Sequence, residues 1–579
     1  MMPLVGGLLL TSLKGGVLVL AVIMCLMLVL PCFHALSNPT TVTNRSDKVN
    51  AQVYADPQSL ADSKAYWLNL ATNAWQYYQP NNGVNSATGL ESNAVGSNQF
   101  TDWDLGTYVQ AIVETEKLGI LSADGAWGAN ARIDKVLTFL EQRPLINDPG
   151  QPDNGQPYAW YYADLPYRSV PGSAAQVAWD AGNLLVALKN VENYGPTASF
   201  KSRIDAIVYS RTNYEPEAQT ASSLASSYGP DVYHYYLALG FGTFFDNYNG
   251  WTGFAPTNFT SEAKTILNNT VNSPSISMGL PTPYNGVTLP KADILCEPLL
   301  LAIFGFQQPD PALLSFSRQV YLVQEARYNA TGKFTAFSEG GATGQYVYEW
   351  IVFSNGDTWE VRDTSYNVLS ISPVVYLKVA LSFMALYNTT YSQSLVGYLI
   401  PHIPPSSNGY SCGVDEMGTI IYDVEDKTNS MIISAARYAI ENNVTLPASL
   451  PTPAPSQPSS SSPSNTGPVT TANSYSAPIP TIAPQQSNTP ILAPSPGSSQ
   501  TSSSEPSPTS TPSTSPATTE NQTNPTASPS TSNTPLSSTK LGAPWQTNPV
   551  IILAIVVVVA IAVILPVIIL RRNGSTRPH

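Results

Sequence analysis

Apolar and aromatic residues recur along the middle of the chain at helical spacing. "SKAYWLNLATNAWQYY", from Ser63 to Tyr78, gathers them on one face, and Leu105, Tyr108, Val109 and Ile112 repeat the pattern at steps of three and four. Leu184, Leu185, Leu188 and Val191 do so again. The same periodicity predicts helices near 129–141, 199–210, 230–245, 260–269, 291–305, 310–328, 367–387 and 428–441, giving about eleven or twelve in all. Short strands are expected at "QYVYEWIVF" and "TWEVRD", where aromatic and β-branched residues alternate loosely. The fold class expected for 55–446 is all-α, an α/α toroid of helical hairpins. One repeat supports a ring: Trp103, Asp104, Gly106 and Ala111 match Trp179, Asp180, Gly182 and Ala187 at identical offsets.

The ends follow other patterns. Residues 17–33, "VLVLAVIMCLMLVLPCF", follow Lys14 and precede Ala35, so 1–35 is expected to be a signal peptide or an N-terminal anchor. Residues 451–545 are rich in Ser, Thr and Pro and cannot bury a core, which predicts a disordered stalk. Residues 550–570, "VIILAIVVVVAIAVILPVIIL", are long enough for a transmembrane helix, and Arg571 and Arg572 place 571–579 as a cytoplasmic tail. The expected location is the cell membrane, single-pass, with the globular domain extracellular.

With a formal net charge of -13 the chain has no basic track for a nucleic-acid backbone, so no nucleic-acid partner is expected. Protein partners are not indicated. Outside the leader, Cys296 and Cys412 either pair in an oxidising compartment or stay as buried thiols. No metal-ligand spacing occurs and no cofactor is expected, although calcium held by carboxylates and carbonyls needs no such spacing. Sequons at Asn44, Asn258, Asn268, Asn329, Asn388, Asn443 and Asn521 fit an exported glycoprotein.

Ten tryptophans and 31 tyrosines stand out against only 11% charged residues. Sugar rings offer apolar faces to aromatic planes and hydroxyls to carboxylates, so a hollow lined by both would suit neutral carbohydrate. Asp102 or Thr101 can cap one helix, and Asp104 beside Trp103 sits in its positive first turn; Trp179 and Asp180 repeat that start. Trp160 and Tyr161, within "YAWYYADLPY", offer an aromatic rim. Glu339 stands beside two glycines in "FSEGG", with Glu349 and Trp350 shortly after. Glycoside hydrolysis needs one protonated and one ionised carboxyl, and Asp102 or Asp104 paired with Glu339 is the expected catalytic set. Trp103, Trp179, Asp180, Trp160, Tyr161, Glu349 and Trp350 are the expected substrate contacts.

The ordered segments "TGLESNAV", "TDWDLGTYVQAIVETEKLGIL", "RPLI", "VAWDAGNLLVALKN", "GKFTAFSEGG" and "YVYEWIVFSNGDTW" resemble the DUF3131 family over much of 60–390. That resemblance implies a fold similar to glucoamylase-like α/α toroids and a place in glycan processing, with Thr88, Gly89, Leu90, Trp103, Asp104, Gly106, Trp179, Asp180, Ser338, Glu339 and Gly340 at motif positions. "PYAWYYADLPY" departs from the family's tyrosine and asparagine loop, so no ligand contact is carried onto it. The expected function is a surface-anchored glycan-processing protein, its partner a polysaccharide or glycoprotein glycan. The alternative is a non-catalytic glycan-binding or cell-envelope structural protein.

Overall fold

In the computed structural model the described residues are 57–453, apart from 166, 228, 230, 307, 308 and 343. The leader at 1–35, almost all of the Ser/Thr/Pro stalk, the 550–570 segment, the tail, Asn44 and Asn521 lie outside them. Among the described residues no helix is long and apolar enough to cross a membrane.

Thirteen α-helices occur among the described residues. In chain order they begin with α1 (Pro57–Ala74), α2 (Asp102–Lys117), α3 (Ala129–Gln142) and α4 (Ala178–Asn193). A short α5 (Lys201–Ala206) precedes α6 (Glu215–Ser227), α7 (Val232–Phe245), α8 (Phe259–Val271) and α9 (Cys296–Gly305). The last are α10 (Pro311–Thr331), α11 (Leu377–Tyr387), α12 (Thr390–His402) and α13 (Asp426–Glu441).

Six of these close a ring, in which α2 packs on α4, α4 on α7, α7 on α9, α9 on α11, α11 on α13, and α13 on α2. The other long helices lie outside it: α3 against α2, α6 and α8 against α7, α10 against α9, α12 against α11 and α1 against α13. The inner helices are the more fully buried ones. In α9, "CEPLLLAIFG", every residue from Cys296 to Phe304 is buried, because its neighbours cover it on all sides.

Close packing inside the ring explains half of the repeated Trp-Asp-x-Gly motif. A Cβ on Gly106 would meet the Asn183 backbone at 3.0 Å, and one on Gly240 would fall 2.4 Å from the Gly182 carbonyl oxygen. Larger residues would push these helices apart.

The chain is less purely helical than expected. β1 (Glu339–Ala342), β2 (Gln345–Val352) and β3 (Thr358–Arg362) form an antiparallel sheet in the order β1-β2-β3. The helix expected over 367–387 starts only at Leu377, since Val374–Tyr376 pairs as a strand with Gly413–Asp415. Extended pairing gives these buried connections the backbone partners that a helix would otherwise supply. Helices α6 and α12 were not expected: α6 is mostly polar and small, and α12 contains Pro401.

Cys296 and Cys412 are free and buried. Of the sequon asparagines, Asn268, Asn329 and Asn443 are exposed, Asn258 caps α8 by accepting from the Ser261 N–H, and Asn388 donates to the Thr445 carbonyl.

Candidate active site

The six ring helices run in the same sense, so their N-termini share one end. Side chains from different starts meet there: Lys427 of α13 donates to Asp104 of α2 at 2.8 Å, Lys378 of α11 pairs with Glu297 of α9, and the Trp103 indole N–H donates to Glu297 at 3.3 Å. Asn183 of α4 donates to the Trp103 carbonyl at 2.7 Å. Six positive helix ends facing one space favour acidic groups there.

Glu339 enters this mouth from the sheet. The residues after it are glycines because there is no room for side chains: a Cβ on Gly340, whose φ is +149°, would lie 2.9 Å from a Glu425 carboxylate oxygen, and one on Gly341 would lie 2.8 Å from Asp423. Glu425 in turn accepts the Gly341 N–H. So fixed, Glu339 accepts a 2.6 Å hydrogen bond from the Tyr233 hydroxyl at the start of α7. Burial, and then the Glu297 carboxylate, push its pKa up to about 8 against the pull of Lys427 and Lys378. Its surroundings therefore favour the protonated form.

Asp180 lies at the same end, in the first turn of α4, and is 9% exposed. Burial raises its pKa well above the usual carboxylate range, with Asp104 and Asp102 adding to the rise and Lys427 opposing it. Half-buried Tyr233, Tyr346, Tyr348, Trp179 and Lys427 surround the two acids, and the Lys427 ammonium sits 5.1 Å from the centre of the Tyr346 ring.

Other expected residues occupy structural positions. Asp104 forms a capping box with Thr101, its carboxylate accepting the Thr101 N–H while the Thr101 hydroxyl accepts from the Asp104 N–H. With Lys427 on its other oxygen it is sealed at 0% exposure. Asp102, Tyr161 and Glu349 do not open onto the mouth. Asp102 is buried against Arg143 at 2.6 Å, Tyr161 sits in the core with its hydroxyl on the Pro144 carbonyl, and Glu349 accepts the Val374 N–H at 2.6 Å. Glu349 faces away because strand side chains alternate and Tyr348 takes the mouth side. Trp160 lies half-buried in the 144–177 loop, its N–H on Ser173. Trp103 and Trp350 are buried on either side of Tyr233, with ring centres 6.0 and 6.1 Å away, and Trp179 lies 6.4 Å from His234.

Sequence reasoning missed Glu297, Lys378, Lys427 and Tyr233. A signal existed for two of them: "ILCEPLLLAIF" and "VVYLKVALSF" each carry one charge in an apolar run, and a buried charge demands a partner. Among the described residues no group of three or more His, Cys, Asp or Glu is arranged to hold a metal ion.

The family profile "Protein of unknown function (DUF3131)" matches residues 69–442, an interval that contains all six ring helices and the mouth. The chain belongs to the DUF3131 family. No curated protein matches it in sequence. Among solved structures the DUF3131 chain is similar to an endo-β-1,2-glucanase from Chitinophaga pinensis, with TM-score 0.45 and 12% identity over 66% of this chain and 94% of that one. It is also similar to a putative glucoamylase from Bacteroides caccae, with TM-score 0.43 and 14% identity over 66% and 95%. An endo-β-1,2-glucanase from Talaromyces funiculosus gives TM-score 0.43 and 13% identity over 67% and 86%.

Proposed function

We propose that the mouth of the DUF3131 ring binds a neutral glycan and cleaves a glycosidic bond, with Glu339 as the general acid. The observation that carries this reading is a buried carboxyl at the common end of the ring helices, fixed by the Tyr233 hydroxyl, framed by half-buried tyrosines and with its pKa raised by burial and Glu297. Protonation of the leaving oxygen by Glu339 lets the carbon–oxygen bond break without expelling an alkoxide. Asp180, which is less sealed than Asp102 or Asp104, is the second carboxyl of this reading. Asp104 holds Lys427, whose charge favours the ionised form of Asp180.

One observation favours a second reading. Asp180 is itself pushed up by burial and by its acidic neighbours, so the mouth disfavours ionisation of both acids. Such groups suit a binding site without turnover, donating hydrogen bonds to sugar hydroxyls.

The test offers the full chain soluble β-1,2-glucan, starch dextrin and mannan, measuring bound glycan and new reducing ends. Hydrolysis predicts release that disappears in Glu339→Gln and Asp180→Asn while binding persists. Binding without release from the unaltered chain would select the second reading. The same proposal puts the site on the outer face of a membrane through 550–570, an inference from the apolar run and the arginines after it.

A further inference from the structure

Tyr366 has no place in the chemistry above, and its geometry is hard to attribute to folding. It lies in the turn after β3 with φ +63°, a left-handed conformation that is unfavourable for a bulky side chain. It nevertheless leaves a large aromatic ring 48% exposed. The turn is tightly held: Asp363 accepts the Ser365 and Asn367 N–H groups at 2.8 and 2.9 Å, and Arg362 donates to the Tyr366 carbonyl at 2.8 Å. A glycine at this position would relieve the backbone without loosening any of these bonds.

The sheet register connects this ring to the acid. Tyr348 of β2 pairs directly with Glu339 of β1 on one side and with Arg362 of β3 on the other. Directly paired residues share a face, so Glu339, Tyr348 and Arg362 all present their side chains on the mouth side. The Tyr366 ring lies nearly parallel to that of Tyr348, at 13° with centres 6.1 Å apart. Tyr348 is stacked in turn on Trp350 at 22°, the next residue on the same face. Although the Tyr366 ring is open, its hydroxyl sits in packed surroundings: burial, followed by Asp231, Asp293 and Glu339, pushes its pKa up to about 12.

We infer that Tyr366 is a sugar-stacking platform that extends the glycan site outward from Glu339 across the sheet, and that its occupant is a further pyranose ring of a neutral polysaccharide. This rests on the glycan reading of the mouth and adds a subsite to it. A flat, exposed aromatic face suits the apolar face of a pyranose, and the nearby carboxyls offer partners to its hydroxyls. The ring is presented flat and backed by the parallel Tyr348, the geometry that stacking on a sugar uses.

The experiment measures the dissociation constant of the full chain for β-1,2-glucan, starch dextrin and mannan, beside Tyr366→Ala, Tyr366→Phe and Tyr366→Trp, with thermal unfolding as the check on folding. Tyr366→Ala is expected to weaken binding of whichever polymer the unaltered chain holds by about tenfold. Tyr366→Phe and Tyr366→Trp should stay within about threefold, because the ring face and not the hydroxyl makes the contact. Equal affinity of Tyr366→Ala and the unaltered chain overturns the platform and leaves the glycan reading of the mouth standing. Loss in Tyr366→Phe equal to that in Tyr366→Ala also overturns it, since the hydroxyl would then be the contact. If the unaltered chain binds none of the three polymers, the reading of the mouth fails, and the platform with it.

Discussion

The ion pair between Lys378 and Glu297 offers the sharpest test of how the ring is held together. Both side chains are 0% exposed, and Glu297 also accepts the Trp103 indole N–H at 3.3 Å. At contact distance, with an effective dielectric near 20, their attraction is on the order of 5 kcal/mol, offset by a desolvation cost of similar size. The intact pair therefore contributes little net stability, but removing one partner leaves the other buried and uncompensated. Lys378→Met strands Glu297 beside Glu339 and should cost about 3–5 kcal/mol, as should Glu297→Gln, which strands Lys378. The double variant should recover most of that loss. Denaturant unfolding followed by tryptophan fluorescence gives all four corners of the cycle. A cost under about 1 kcal/mol for Lys378→Met, or single losses that simply add in the double variant, would refute the reasoning. Activity offers a second readout: Glu297 raises the pKa of Glu339 and Lys378 lowers it. Glu297→Gln should therefore move the alkaline limb of any pH–rate profile to lower pH, and Lys378→Met to higher pH.

The remaining predictions concern single positions. Glu339 has a folded pKa of about 8 against an ordinary value of 4.5, so the native state binds more protons than the unfolded state between those values and loses stability as pH rises through that window. Glu339→Gln should flatten this loss, measured as melting temperature from pH 5 to 9, and hydrolysis by the unaltered chain should fall above about pH 8. Gly240→Ala drives a methyl to 2.4 Å from the Gly182 carbonyl oxygen and should destabilise by about 1–3 kcal/mol in the same denaturant assay, with no change expected for Gly119→Ser beyond its local backbone cost. Thr101→Ala removes the hydroxyl that accepts from the Trp103 and Asp104 N–H groups; it should cost about 1 kcal/mol and weaken the seat of Asp104 under Lys427.

Much of the ring was legible before any coordinates. The helices at 129–142, 232–245, 259–271 and 311–331 lie where the periodicity puts them, because an apolar face repeated at helical spacing has few other ways to leave water. Helix boundaries were less legible where pairing intervened, as at Val374–Tyr376, which depends on a strand about forty residues later. The repeated Trp-Asp-x-Gly start marked real ring helices, yet its two acids diverged. Asp104 is closed into a capping box and an ion pair, while Asp180 stays at the mouth. The shared Trp-Asp-x-Gly does not tell these apart: the difference lies in the N-cap, Thr101 before one acid and Val177 before the other, and in the ion pair with Lys427, more than 200 residues away from either.

The sequence by itself determined where most of the helices form, which faces they bury, and that Gly106 and Gly182 recur at one offset. These depend on local spacing and side-chain size. The close approach that requires glycine there and at Gly240 came from the packed ring. Which acids meet was decided only by the tertiary structure: closing the ring brings six helix starts to one end, and burial there, with Glu297, Lys378 and Lys427 as neighbours, sets the proton on Glu339. A carboxyl's charge state depends on the solvent it loses and the charges it gains, and both come from residues that are distant in the chain.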